Sequence, residues 1–154
     1  YKRQGVDRQR IVGFGYSNGG CAMARAAAVD DRIRALILLA TYTNLADQLH
    51  YAYHRRVPGM GHFAVAAARA AGISVEGLDT LQALESMPPR PTLIISGGRD
   101  KQVSREMAAQ LKSVVSGAEM WEYPEMGHVG YAARLGTAFF ARVDGWLSQV
   151  LPEP

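Results

Sequence analysis

The chain has 154 residues, 48% of them hydrophobic and 20% charged, with a formal net charge of +3. That is enough for one domain with its own core, and too apolar and too weakly charged for a disordered segment. The longest aliphatic run, ALILLA at residues 35–40, is too short to span a bilayer, and the basic residues are scattered rather than interleaved with aromatics, which argues against a nucleic-acid surface.

The first ten residues, YKRQGVDRQR, contain no apolar segment of the signal-peptide kind, and the chain does not begin with Met. A cytoplasmic location is the expectation. Residues 10–15 (RIVGFG) read as a strand that leads into a helix over 18–29 (NGGCAMARAAAV). The single cysteine, Cys21, lies in that alanine-rich stretch and reads as a small buried apolar residue. A second strand follows at 33–40 (IRALILLA), a third at 91–97 (PTLIISG) before a helix over 104–115, and a fourth at 118–124 (AEMWEYP) before a long helix over 132–151. Continuous apolar runs, rather than strict alternation, mark strands covered on both faces, as in parallel sheets. The strand–helix order predicts right-handed crossovers and a doubly wound parallel α/β sheet.

Between residues 41 and 90 the rhythm breaks. Helices are predicted at 44–53, 62–71 and 78–85, separated by VPGMG and AGISVEG, with MPPRP stiffening the return to the sheet. The expectation is a helical cap inserted over the strand ends. The chain then divides into a nucleophile-bearing core part at 1–41, the cap at 42–90, and a C-terminal core part at 91–154.

The glycines at 13, 15, 19 and 20 surround Ser17. A phosphate-binding P-loop requires Lys and then Ser or Thr after its last glycine, and here Cys21 and Ala22 follow Gly20. A dinucleotide fingerprint fits poorly too: the spacing of Gly13, Gly15 and Gly19 is wrong, and the next strand ends in Thr41 and Tyr42 rather than an acid. The remaining specific reading takes Gly15-Tyr16-Ser17-Asn18-Gly19 as the G-x-S-x-G of a nucleophile elbow. Such a turn is tight enough to need small residues two before and two after a strained serine. The backbone N–H of Asn18, at the start of the helix, would then face a developing oxyanion. An ordinary glycine-rich turn is the plain alternative.

Two further groups fall where such a serine would need them. SGGRD places Asp100 in the loop after the third strand, and YPEMGH places His128 after the fourth. In a parallel sheet all strand C-termini share one edge, so Ser17, Asp100 and His128 are expected to converge there. With these residues in chain order serine, acid, histidine, the sequence resembles the α/β-hydrolase family over nearly its whole length. DRQRIVGFGYSNGG resembles the nucleophile strand and elbow, PPRPTLIISGGRD the strand leading to the acid, and EMWEYPEMGH the strand leading to the histidine. The tone is similar to the dienelactone-hydrolase-like and serine-aminopeptidase-like branches. The resemblance implies Ser17 as nucleophile, His128 as general base and Asp100 as orienter of the imidazole. It also implies a small-molecule carbonyl substrate (an ester, thioester or small amide) with no cofactor and no metal.

The resemblance covers only the C-terminal part of such a fold, with about its last four strands. No HGGG-like segment is present to donate a second oxyanion N–H, and losing one such donor typically costs about 10² to 10³ in turnover. The chain alone is therefore expected to be a weak catalyst. Its first strand would leave the apolar edge IVGF open to self-association. A catalytically inert fragment or interaction module and, behind it, a dinucleotide-binding domain are the competing readings. His50, His54 and His62 have a spacing that can hold zinc, but HExxH is absent and Arg55 and Arg56 oppose a cation. Met60, Met87, Tyr51 and Tyr53 read as acyl-pocket or core residues, Met87 as core. Arg99 reads as a steering or solvent-facing residue, and Phe139, Phe140 and Trp146 as sheet-packing residues.

Overall fold

In the computed structural model, which describes residues 5, 7–54, 56–75, 77 and 79–152, the four apolar runs form strands. These are β1 (Val12–Tyr16), β2 (Ala35–Leu39), β3 (Thr92–Gly97) and β4 (Glu119–Tyr123). They pair in parallel in the order β1-β2-β3-β4. Every residue of β2 and β3 is buried, whereas β1 and β4 are buried only in part. That is the burial expected of central and outer strands in a sheet covered on both faces.

Among the described residues, six α-helices accompany the sheet: α1 (Asn18–Val29), α2 (Leu45–His54), α3 (Met60–Ala70), α4 (Thr80–Ser86), α5 (Arg105–Ser113) and α6 (Tyr131–Val150). Alternation along β2 sends Leu36 and Leu38 to one face and Ile37 and Leu39 to the other. The first pair packs with Ala24 and Ala27 of α1, Ala83 and Leu84 of α4, and Ala108 and Leu111 of α5. The second packs with Trp121 and with Phe139, Val143 and Trp146 of α6. The chain steps across the sheet in one direction, so crossovers of one hand must fall on one face. This explains why α1, α4 and α5 share a layer. Helix α6 starts no further crossover and covers the opposite face.

The segment at 42–90 does two things. Helix α4 lies on the sheet beside α1, with Met87 in the same cluster. Helices α2 and α3 pack against each other, and Leu45 and Tyr51 of α2 rest on a small cluster of Cys21, Tyr42, Val103 and Met107. An antiparallel bridge between Asn44 and Asp79 ties the segment's two ends together. Asp79 also caps α4, its carboxylate accepting from the Gln82 N–H at 3.0 Å. The expected helix start at residue 78 lies outside the described residues, as does Arg55.

Two expectations change. The long helix predicted over 132–151 is broken at Gly136 (φ 58, ψ −146), a conformation that only glycine adopts without strain. Phe140 does not pack on the sheet. It is half exposed, because its neighbour Phe139 already takes the inward position and successive helical residues point about 100° apart. Strand β1 is an outer strand, and Phe14 on it is 47% exposed. No helix among the described residues is long and apolar enough to cross a membrane.

Leu38 is fully buried at the centre of the sheet. Leu38→Ala is expected to cost about 2–5 kcal/mol, read as a lower urea midpoint with an unchanged slope.

Candidate active site

Strand β1 ends at Tyr16 and α1 begins at Asn18, so Ser17 alone makes the turn, with φ 51 and ψ −120. A positive φ on a non-glycine residue costs on the order of 1–3 kcal/mol and persists only where the surroundings impose it. Here the Ser17 N–H donates to the Leu39 carbonyl at 2.9 Å, and its carbonyl accepts from the Gly20 N–H at 2.9 Å. Close backbone approach explains two of the glycines. A Cβ at Gly15 would lie 2.5 Å from the Gly19 carbonyl oxygen, and one at Gly20 would lie 1.9 Å from Thr41 Oγ1. Gly19, expected to be sterically required, has nothing within 4 Å of a built Cβ. The crowded positions of the elbow are therefore Gly15 and Gly20, because α1 leaves the turn with its Gly20 side against Thr41.

The structure brings all three predicted side chains together. His128 Nε2 lies 3.1 Å from Ser17 Oγ, and His128 Nδ1 lies 2.8 Å from Asp100 Oδ2. The other carboxylate oxygen of Asp100 accepts from the N–H groups of Gln102 at 2.7 Å and Val103 at 3.0 Å. The Asp100 side chain is only 1% exposed and that of His128 11%. A carboxylate so buried needs all these donors, and they fix its orientation. Because the carboxylate accepts, Nδ1 carries the proton and Nε2 is left to accept from the Ser17 hydroxyl.

Parallel register explains the convergence. Tyr16, Leu39, Ile95 and Trp121 stand in one row across the sheet, and β3 and β4 run on together to Gly97 and Tyr123. The acid and histidine loops then pack backbone to backbone: Gly98 N–H donates to the Tyr123 carbonyl at 3.0 Å and Arg99 N–H to that of Met126 at 2.9 Å. A Cβ at Gly97 would lie 2.4 Å from the Met126 carbonyl oxygen, so the glycine pair in SGGRD is what lets the two loops touch. The Asn18 amide is one of the first-turn N–H groups of α1 that lack an intrahelical acceptor, at the positive end of the helix dipole.

Three tyrosines beside the site escaped the sequence reading or were assigned otherwise. The hydroxyl of Tyr16 donates to the His128 carbonyl at 2.5 Å, that of Tyr42 to Asn18 Oδ1 at 2.5 Å, and that of Tyr51 to the Asp100 carbonyl at 3.2 Å. Burial pushes the Tyr16 and Tyr42 phenols above their ordinary range, with the Asp100 charge adding to the effect at Tyr16. Both remain donors. Nothing in the local sequence marks these tyrosines, since each reaches a partner distant in the chain. Cys21 is fully buried behind the elbow, and burial raises its thiol as well.

The remaining candidates lie apart from this cluster. His50 and His62 approach Nε2 to Nε2 at 3.3 Å, and His54 stacks on His50 with centroids 5.1 Å apart. Among the described residues, no group of three or more His, Cys, Asp or Glu side chains is arranged to hold a metal ion. Arg99 pairs with Glu125 on the exposed rim. Tyr53 and Met60 are a little over one-third exposed on α2 and α3, at 38% and 37%.

A four-stranded parallel sheet with helices on both faces, its serine raised on a strand–turn–helix elbow, is an α/β-hydrolase fold. The sequence matches the prolyl oligopeptidase family over residues 1–153, and the chain belongs to that family. No curated protein matches the sequence. Among solved structures, the fold is similar to the acylaminoacyl peptidase of Pyrococcus horikoshii (TM-score 0.71, 17% identity, 96% of this chain and 25% of that one). It is also similar to an esterase of Pyrococcus furiosus (0.67, 19%, 90% and 53%). A third is the enol-lactonase of Burkholderia xenovorans (0.64, 18%, 92% and 66%). The chain thus spans about a quarter of the length of the peptidase and about half that of the esterase.

The contrast between the glycines is testable. Gly15→Ala is expected to destabilise by about 1–3 kcal/mol through backbone overlap. Gly19→Ala, with open space and a better helix former, is expected to be neutral or stabilising. Urea midpoints of the two variants distinguish them.

Proposed function

We propose that this chain carries the acyl-transfer machinery of a serine hydrolase acting on an ester, thioester or small amide. The observation that carries the proposal is the hydrogen-bonded series Ser17–His128–Asp100, with distances of 3.1 and 2.8 Å. Membership in a serine hydrolase family supports the same chemistry.

In the proposed mechanism, Ser17 Oγ attacks the substrate carbonyl carbon while His128 Nε2 takes the hydroxyl proton. The carbonyl electron pair moves to oxygen, where the Asn18 N–H and the end of α1 stabilise the anion. Asp100 holds the tautomer and balances the imidazolium charge. The intermediate collapses, His128 gives its proton to the departing alcohol, thiol or amine, and an acyl–Ser17 ester remains. Water activated by the same imidazole then releases the acid. The contacts of His128 with Ser17 and Asp100 support these roles.

The test is covalent. Incubation with a fluorophosphonate, followed by peptide mapping, is expected to place the adduct on Ser17. His128→Ala is expected to abolish the labelling. Asp100→Asn is expected to slow it by orders of magnitude; the equivalent change in a serine protease costs about 10⁴ in kcat. A folded chain that takes no adduct would instead support the inert module.

A further inference from the structure

Tyr16 and Ser17 are consecutive residues that hold opposite ends of one histidine. Ser17 Oγ is 3.1 Å from the imidazole Nε2, while the Tyr16 hydroxyl donates to the main-chain carbonyl of the same His128 at 2.5 Å. The two rings lie 5.5 Å apart, tilted by 36°. His128 sits in the link between β4 and α6, close to Gly127 and Gly130, the latter with φ +93. A glycine-flanked link fixes its own carbonyl directions poorly. Tyr16, by contrast, closes β1: it pairs with Leu39 in the sheet, and the next N–H donates to the Leu39 carbonyl.

We propose that Tyr16 is a positioning residue, its hydroxyl anchoring the His128 main chain to the strand that carries the nucleophile. Two consecutive residues, the last of β1 and the one that makes the turn after it, then set where the imidazole stands relative to Ser17 Oγ, and Asp100 sets its rotation from the far side. The phenol is suited to this. It is half-buried, it stays protonated, and its ring lies against the imidazole it serves. A phenylalanine would keep the ring and lose only the anchor. The consequence is kinetic, because a displacement of about 1 Å at a reacting group can cost about 10² in rate.

The inference rests on Ser17 being the residue that His128 activates. It is tested on the whole chain and on Tyr16→Phe with two readouts. The first is fluorophosphonate labelling of Ser17, resolved into a limiting rate and a half-saturating concentration. The second is the low-field proton NMR signal of the His128 Nδ1–H. The limiting rate is expected to fall about tenfold or more with the half-saturating concentration unchanged, and the low-field signal to broaden or vanish. Equal rates with an unchanged signal overturn the assignment. If the unaltered chain takes no adduct, the hydrolase proposal fails, and the NMR comparison still decides whether Tyr16 anchors the histidine. Should Tyr16→Phe not fold, 3-fluorotyrosine at position 16 keeps the ring and strengthens the donor. The low-field signal is then expected to move, and an unmoved signal overturns the assignment.

Discussion

The site depends first on parallel pairing. Strands β1, β3 and β4 deliver Ser17, Asp100 and His128 because each ends at the same edge of one sheet, with Tyr16, Ile95 and Trp121 level across it. Parallel order is maintained by burial on both faces: every residue of β2 and β3 is covered, one side by α1, α4 and α5, the other by α6. Slipping one strand by a residue would exchange its two faces and bring the wrong side chains to both layers. The core therefore fixes the alignment of the three loops before any hydrogen bond among Ser17, His128 and Asp100 is made.

On this frame the polar groups are held one by one. The positive φ of Ser17 is tolerated because both its N–H and its carbonyl are engaged, and because α1 departs at a level where only Gly15 and Gly20 leave room. Asp100 can be buried as a carboxylate because two backbone N–H groups and an imidazole share its oxygens. The acid and histidine loops brace each other through main-chain hydrogen bonds rather than through side chains. Strain at the serine is offset by main-chain contacts, and desolvation at the acid by two main-chain donors together with the His128 imidazole.

The segment between β2 and β3 serves both the core and the site. Helix α4 completes the sheet-covering layer, while Tyr51 of α2 reaches the Asp100 carbonyl and Tyr42, just after β2, reaches Asn18. The helix pair α2–α3 adds the three-histidine surface, whose rings pack on one another instead of converging on one point. On the opposite flank, β1 is the outer strand among the described residues, with Phe14 and the nearby Phe140 exposed.

Much of this was legible in the chain. Apolar runs of strand length, the Gly15–Gly19 turn and the order serine, acid, histidine are local or ordinal features, and they sufficed to locate the strands and to point to Ser17, Asp100 and His128, whose side chains meet in the structure. Local signals fail where a residue's role is set by something far away in sequence. Gly20 rather than Gly19 is the crowded glycine because Thr41 stands behind it. Phe140 is outward because Phe139 took the inner position, and α6 breaks at Gly136 within an otherwise helical pattern. The hydroxyls of Tyr16, Tyr42 and Tyr51 meet partners 112, 24 and 49 residues away. The sequence by itself determined which groups are present and at which strand ends. Only the tertiary structure decided how those groups are spaced and braced, because hydrogen bonds and close approaches across loops depend on packing that no single stretch of chain contains.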